Sequence, residues 1–193
     1  MNQNTPSYQF LRTLYRMPPN AVAVISGNQE NPQLRGIVRF YQTAYQGILI
    51  EAEISGLPYE TDRTSSSTVS ASQNSSASPT SSASPDLPAS MASPFSFYAM
   101  HIHQFGNCTL PFDKTGEHYN PDQLPHPEHA GDLLPLLGNH EYAWSAFYDE
   151  RLTIDEIIGK SLIIHRNPDD FRTQPSGNSG VKIGCGVIQR VGM

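Results

Sequence analysis

Between Asp62 and Pro94 the chain carries 13 serines and four prolines in 33 residues, with no Phe, Tyr or Trp. Its charges there are Asp62, Arg63 and Asp86. Such a stretch cannot bury enough apolar surface to offset its ordering entropy, so a disordered insert is expected at 62–94. Residues 1–19, broken at Pro18-Pro19, read as a flexible arm. What can fold is therefore about 140 of the 193 residues, one domain at 20–193 with an interruption. The insert also explains why only 16% of the chain is charged and 37% apolar. A net charge of -6 argues against a nucleic-acid-binding surface. No run of 18 apolar residues exists, so no membrane span is expected. The amino-terminal residues lack an apolar stretch after their basic residues. That predicts a cytoplasmic protein and leaves export by another route open.

The foldable part reads as short strands. Residues 47–56 are the clearest: Ile48, Ile50, Ala52 and Ile54 share one face, and Leu49, Glu51, Glu53 and Ser55 the other. That alternation describes a half-buried antiparallel strand. Further strands are expected at 21–25, 34–42, 97–104, 142–148, 161–165 and 181–189, with a helical turn at 154–158. Short strands punctuated by Gly, Pro and Asn predict an all-β sandwich or barrel.

The histidines carry the chemistry. His101 and His103 are two apart on an expected strand, so both imidazoles face the same side and can share an ion. The pattern is weak alone. His126, His129 and Asp132 recur at spacings of three, and Pro127 and Gly131 make their segment a loop that can wrap an ion. A solvated polar loop is the alternative. His118 lies in a turn-rich stretch, and His165 ends an apolar strand. Six histidines and Asp132 give seven donors, the number that two four-coordinate ions need when they share one ligand. His140 stands outside the set. Cys108 and Cys185 are too far apart for a CxxC motif or a zinc ribbon; two buried free thiols remain one reading.

Taken together, His101 to Asp132, His165, Asp169-Asp170, Gly177-Asn178-Ser179-Gly180 and Cys185-Gly186-Val187-Ile188 resemble the copper/zinc superoxide dismutase family. The likeness covers residues 21–60 and 97–189. It implies an eight-stranded Greek-key β-barrel, an immunoglobulin-like architecture, with long metal-binding loops. Copper would be held by His101, His103, His118 and His165. Zinc would be held by His118, His126, His129 and Asp132, with His118 bridging the two. Asp169 would orient a copper histidine and a zinc histidine. Cys108 and Cys185 would form the family's disulfide.

The resemblance implies superoxide dismutation by Cu(II)/Cu(I) cycling, with His118 carrying a proton and zinc structural. Lys182 stands where the family's substrate-guiding Arg is usual, so it keeps the charge and loses the planar fork. His118 and Lys182 are thus the expected catalytic residues, with Arg166 and Arg172 as candidate helpers in attracting an anion. The loop between His126 and His129 and the segment from Asp170 to Gly177 are both short for the family. The alternative is a non-catalytic relative that stores or delivers zinc or copper. Superoxide is the expected partner, with no nucleic acid or membrane. Homodimerisation stays open, since family members occur as monomers and dimers.

Overall fold

The computed structural model describes residues 17–44, 46–59 and 95–192. The insert at 62–94, and the arm apart from its last three residues, lie outside them.

Among the described residues nine strands form one antiparallel sheet: β1 Ala21–Gly27, β2 Arg35–Gln42, β3 Ile48–Ser55, β4 Phe95–Tyr98, β5 Met100–His103, β6 Leu136–Asn139, β7 Tyr142–Asp149, β8 Ser161–His165 and β9 Lys182–Arg190. Their order is β4-β6-β7-β3-β2-β1-β9-β8-β5. The first and last members of that order, β4 and β5, are separated only by Ala99. One extended segment therefore joins both edges of the sheet and closes it into a barrel-like form. This is the single strand expected at 97–104, and counting it once recovers eight strands. It breaks at Ala99 because that residue's N–H and C=O bond Asn167 and His165, outside the β4 pairing. Closure removes the exposed edges that an open sheet would present.

The barrel interior follows the period-two pattern. Ile48, Ile50, Ala52 and Ile54 of β3 are wholly buried, as are Val38 and Phe40 of β2. Each buried Ile contributes roughly 1.5–3 kcal/mol of hydrophobic stabilisation. Leu49 faces outward yet is also buried, because Tyr41 and Tyr148 flank it across the sheet. Strand β6, four residues ending in Gly-Asn, has no alternation long enough to be read from sequence. It pairs with β4 and turns into β7 at His140-Glu141. A short helix, α1 Ile154–Ile157, follows β7.

The barrel's feature of consequence is β5. Met100 and Ile102 enter the apolar core, while His101 and His103 point to the other side. They are nevertheless buried, because the 118–132 loop lies across them. Tyr119 donates its N–H to the Ile102 carbonyl at 2.7 Å, and Ile102 donates to Gly131 at 2.9 Å. A Cβ on Gly131 would stand 2.4 Å from the Ile102 oxygen, so only glycine permits this approach.

Cys108 and Cys185 are bonded, across 77 residues of sequence. Their link ties the loop after β5 to β9 and packs beside Phe112 and Ile163. Closing a loop of that size removes about 4.5 kcal/mol of unfolded-state entropy. Cys108→Ser with Cys185→Ser is expected to lower folding stability by about that amount in chemical denaturation. An unchanged midpoint would show that the bridge constrains nothing.

Candidate metal centre

The outward face of β5, the 118–132 loop and the last residue of β8 bring the seven predicted donors together. Their ligand atoms form two groups, each with every atom within 4.8 Å of the others. One contains His101, His103, His118 and His165; the other contains His118, His126, His129 and Asp132. His118 is common to both, and all seven residues are buried. His140 sits apart, exposed at the β6–β7 turn.

Hydrogen bonds on the outward side of each ring decide which nitrogen faces inward. His103 Nδ1 lies 2.9 Å from the Gly116 carbonyl, and His165 Nδ1 lies 3.1 Å from that of Gly180. A carbonyl can only accept, so these nitrogens carry the protons and each Nε2 lone pair points inward. The two Nε2 atoms approach to 3.4 Å. His101 and His126 are reversed. Their Nε2 atoms bond Asp169 at 2.8 and 2.9 Å, which leaves Nδ1 facing inward on both. One carboxylate thereby orients a ring in each group, the outer-shell arrangement that fixes tautomer and direction at metal sites.

The inward atoms have the hallmarks of ligands. His101 Nδ1, His118 Nε2, His126 Nδ1 and His129 Nδ1 are buried without a hydrogen-bond partner. Such atoms cost about 1–3 kcal/mol each when left unmet. His126 Nδ1 and His129 Nδ1 lie 2.9 and 3.2 Å from Asp132 Oδ2, close but not in hydrogen-bonding geometry. Four buried nitrogens left without a partner, turned toward the other donors, fit an ion between them. Neutral imidazoles and a carboxylate suit zinc and copper.

Electrostatics keeps these donors in the form that ligation needs. Burial pushes His103 down to about 2 and His165 down to about 3, so both stay neutral at physiological pH. Burial also lowers His101, against its hydrogen bond to Asp169. For Asp169, burial favours the neutral acid. Hydrogen bonds from His101, the Phe171 N–H and His126 outweigh it and hold the group below the usual carboxylate range. Asp132 is lowered in the same way, with the His118 hydrogen bond the main counterweight to burial.

The centre opens onto a cleft of about 590 Å³ lined by His103, His118, His129, His165, Gln174 and Lys182, among others. Lys182 is the one Lys or Arg among the described residues that line it, and Glu117 the one acid. The Lys182 amine donates to Thr115 Oγ1 at 2.7 Å and approaches the Phe112 and Gly116 carbonyls at 3.5 Å. Its charge is therefore presented from a tethered position. Burial lowers its pKa. Arg166 and Arg172, the expected helpers, do not line the cleft.

Three contacts around the centre escaped the sequence reading. Thr115 holds Lys182. Arg151 donates to the carbonyls of His129 and Asp132 at 2.9 and 2.7 Å while paired with buried Asp149. Gln174 bonds the main chain of His126. The last two contact backbone atoms, which no motif advertises.

A closed antiparallel barrel with a two-part histidine centre outside its core defines a class of β-barrel metalloprotein. Residues 65–188 match the family described as copper/zinc superoxide dismutase (SODC), and the chain belongs to that family. It is 28% identical to the copper chaperone for superoxide dismutase of Sus scrofa over 183 residues, 88% of this chain and 53% of the chaperone. It is 32% identical to superoxide dismutase [Cu-Zn] 3 of Arabidopsis thaliana over 108 residues, 48% of this chain and 66% of that one. Against the extracellular superoxide dismutase [Cu-Zn] of Mus musculus it is 30% identical over 99 residues, 47% and 39% of the two chains. The chain thus spans less than two thirds of each of these relatives.

Proposed function

We propose that this protein is a superoxide dismutase. The observation that carries the reading is the pair of complete four-donor groups sharing His118, with His103, His118 and His165 of the first group lining the cleft. His101, His103, His118 and His165 would hold copper, and His118, His126, His129 and Asp132 would hold zinc. Bound copper supplies the one-electron chemistry that turns two superoxide anions and two protons into dioxygen and hydrogen peroxide, while bound zinc supplies fixed charge and structure.

The chain's own residues do the rest. Asp169 and the Gly116 and Gly180 carbonyls hold four imidazoles in one tautomer and direction, so little reorganisation accompanies reaction. His118 Nδ1 bonds Asp132 at 2.6 Å, while its Nε2 has no partner. That Nε2 is the atom suited to hold a proton for the forming peroxide. Lys182 gives the cleft its cation in a chain of net charge -6, which supports anion approach.

Superoxide decay measured against bound copper tests the reading. The rate is expected to rise linearly up to one copper per chain and to vanish in His165→Ala. Full copper occupancy without turnover would overturn it. That result would favour a second reading, copper delivery, which the 88% coverage by a copper chaperone supports. Transfer of the bound copper to a metal-free superoxide dismutase would then be the expected activity.

Lys182 yields a graded prediction. Lys182→Glu is expected to slow superoxide decay about 10-fold or more at low salt and to reverse the salt dependence. Lys182→Arg restores a two-pronged donor and is expected to raise the rate. Equal rates in all three proteins would show that this side chain does not guide substrate.

A further inference from the structure

Gln174 grips the main chain of His126 at two points. Its Oε1 accepts the His126 N–H at 3.0 Å, and its Nε2 donates to the His126 carbonyl at 2.7 Å. The residues are 48 positions apart and lie on different loops. A primary amide offers one acceptor and one donor side by side, which matches the N–H and C=O of a single residue. From the same segment, Asp169 Oδ1 takes the His126 ring at Nε2, 2.9 Å away. A Cβ on Gly177 would overlap Asp169 Oδ1 at 1.9 Å and stand 2.7 Å from His126 Nε2, so the segment closes tightly over that bond. His126 is held at three atoms, and its Nδ1 is left facing Asp132 Oδ2 at 2.9 Å.

We infer that Gln174 is a positioning residue for the zinc-side group, setting the place of His126 through its main chain. The inference rests on reading His126 as a zinc ligand. Asp169 can orient the ring but does not touch the main chain of His126, which lies between the points where Tyr119 and Gly131 bond Ile102; the amide clamp holds it there. Three of the copper-side rings depend on other partners: His101 on Asp169, His103 on Gly116 and His165 on Gly180. The effect of losing the clamp therefore falls on zinc.

The test uses the full chain with Gln174→Ala, Gln174→Glu and Gln174→Met. Zinc affinity is read by competition with a chromophoric chelator, and site geometry by the visible spectrum of Co(II) bound in place of zinc. Gln174→Ala is expected to weaken zinc about 10-fold and to shift the Co(II) bands, with copper affinity unchanged. Gln174→Met keeps the volume and removes both polar groups, so it should match the alanine variant. Gln174→Glu turns an oxygen toward the His126 carbonyl and should lose at least as much. Wild-type zinc affinity and spectrum in Gln174→Ala would overturn the inference, as would an equal loss of copper affinity. A wild-type chain that takes up no zinc would instead overturn the reading beneath it.

Discussion

Asp169→Ala is expected to weaken zinc and copper binding together, by about 10- to 100-fold each. Asp169 is buried, and its two oxygens hold His101 Nε2 at 2.8 Å and His126 Nε2 at 2.9 Å. Those rings belong to different donor groups. Removing the carboxylate frees both to rotate and leaves two buried N–H groups without an acceptor, at about 1–3 kcal/mol each. Rings that rotate no longer present Nδ1 to the centre. Asp169→Asn keeps the volume and one acceptor, so it should retain one ring's orientation better than the other. Calorimetric titration of the metal-free protein with each ion checks the result. Loss confined to one metal would mean that the two groups are oriented independently.

The second large effect is on the metal-free protein in acid. Going from pH 7 to 4.5 is expected to lower its folding stability by about 5 kcal/mol. In the folded chain burial holds His103 down at about 2 and His165 down at about 3, whereas both titrate near their ordinary value when unfolded. Below pH of about 6.5 the unfolded chain takes up protons that the folded chain refuses, so stability falls as pH falls. Each histidine costs about 1.4 kcal/mol per pH unit until its folded value is approached. His101 shifts in the same direction. Asp169 and Asp132, lowered when folded, contribute stability that is lost further down, as pH drops through the carboxylate range. Urea denaturation in half-unit pH steps measures the slope. A flat profile between pH 7 and 4.5 would show that these histidines are not held neutral.

Much of this centre was legible because strand and loop spacing act locally. His101 and His103 share a face by the period of two, and the seven-donor count survives folding intact. The choice of nitrogen on each ring was not legible, since it depends on Gly116, Gly180 and Asp169, brought in from other loops. The barrel's closure was also hidden. It rests on Ala99, where one strand changes partners, and on β6, too short to show a period. Leu49 was read correctly as outward, but its burial depends on Tyr41 and Tyr148 from neighbouring strands. Lys182 was identified by position, while the hydroxyl that anchors it belongs to Thr115, 67 residues away. Arg151 and Gln174 act on backbone atoms, so residue type alone gave no sign of them.

The seven side chains would form one centre for two different ions, with His118 between them. Crystals of protein loaded with copper and zinc, measured on both sides of each metal's absorption edge, test it most directly. Two anomalous peaks per chain are predicted. The copper peak should be contacted by His101, His103, His118 and His165, and the zinc peak by His118, His126, His129 and Asp132. A single peak, or a copper peak out of reach of His118, would contradict the account.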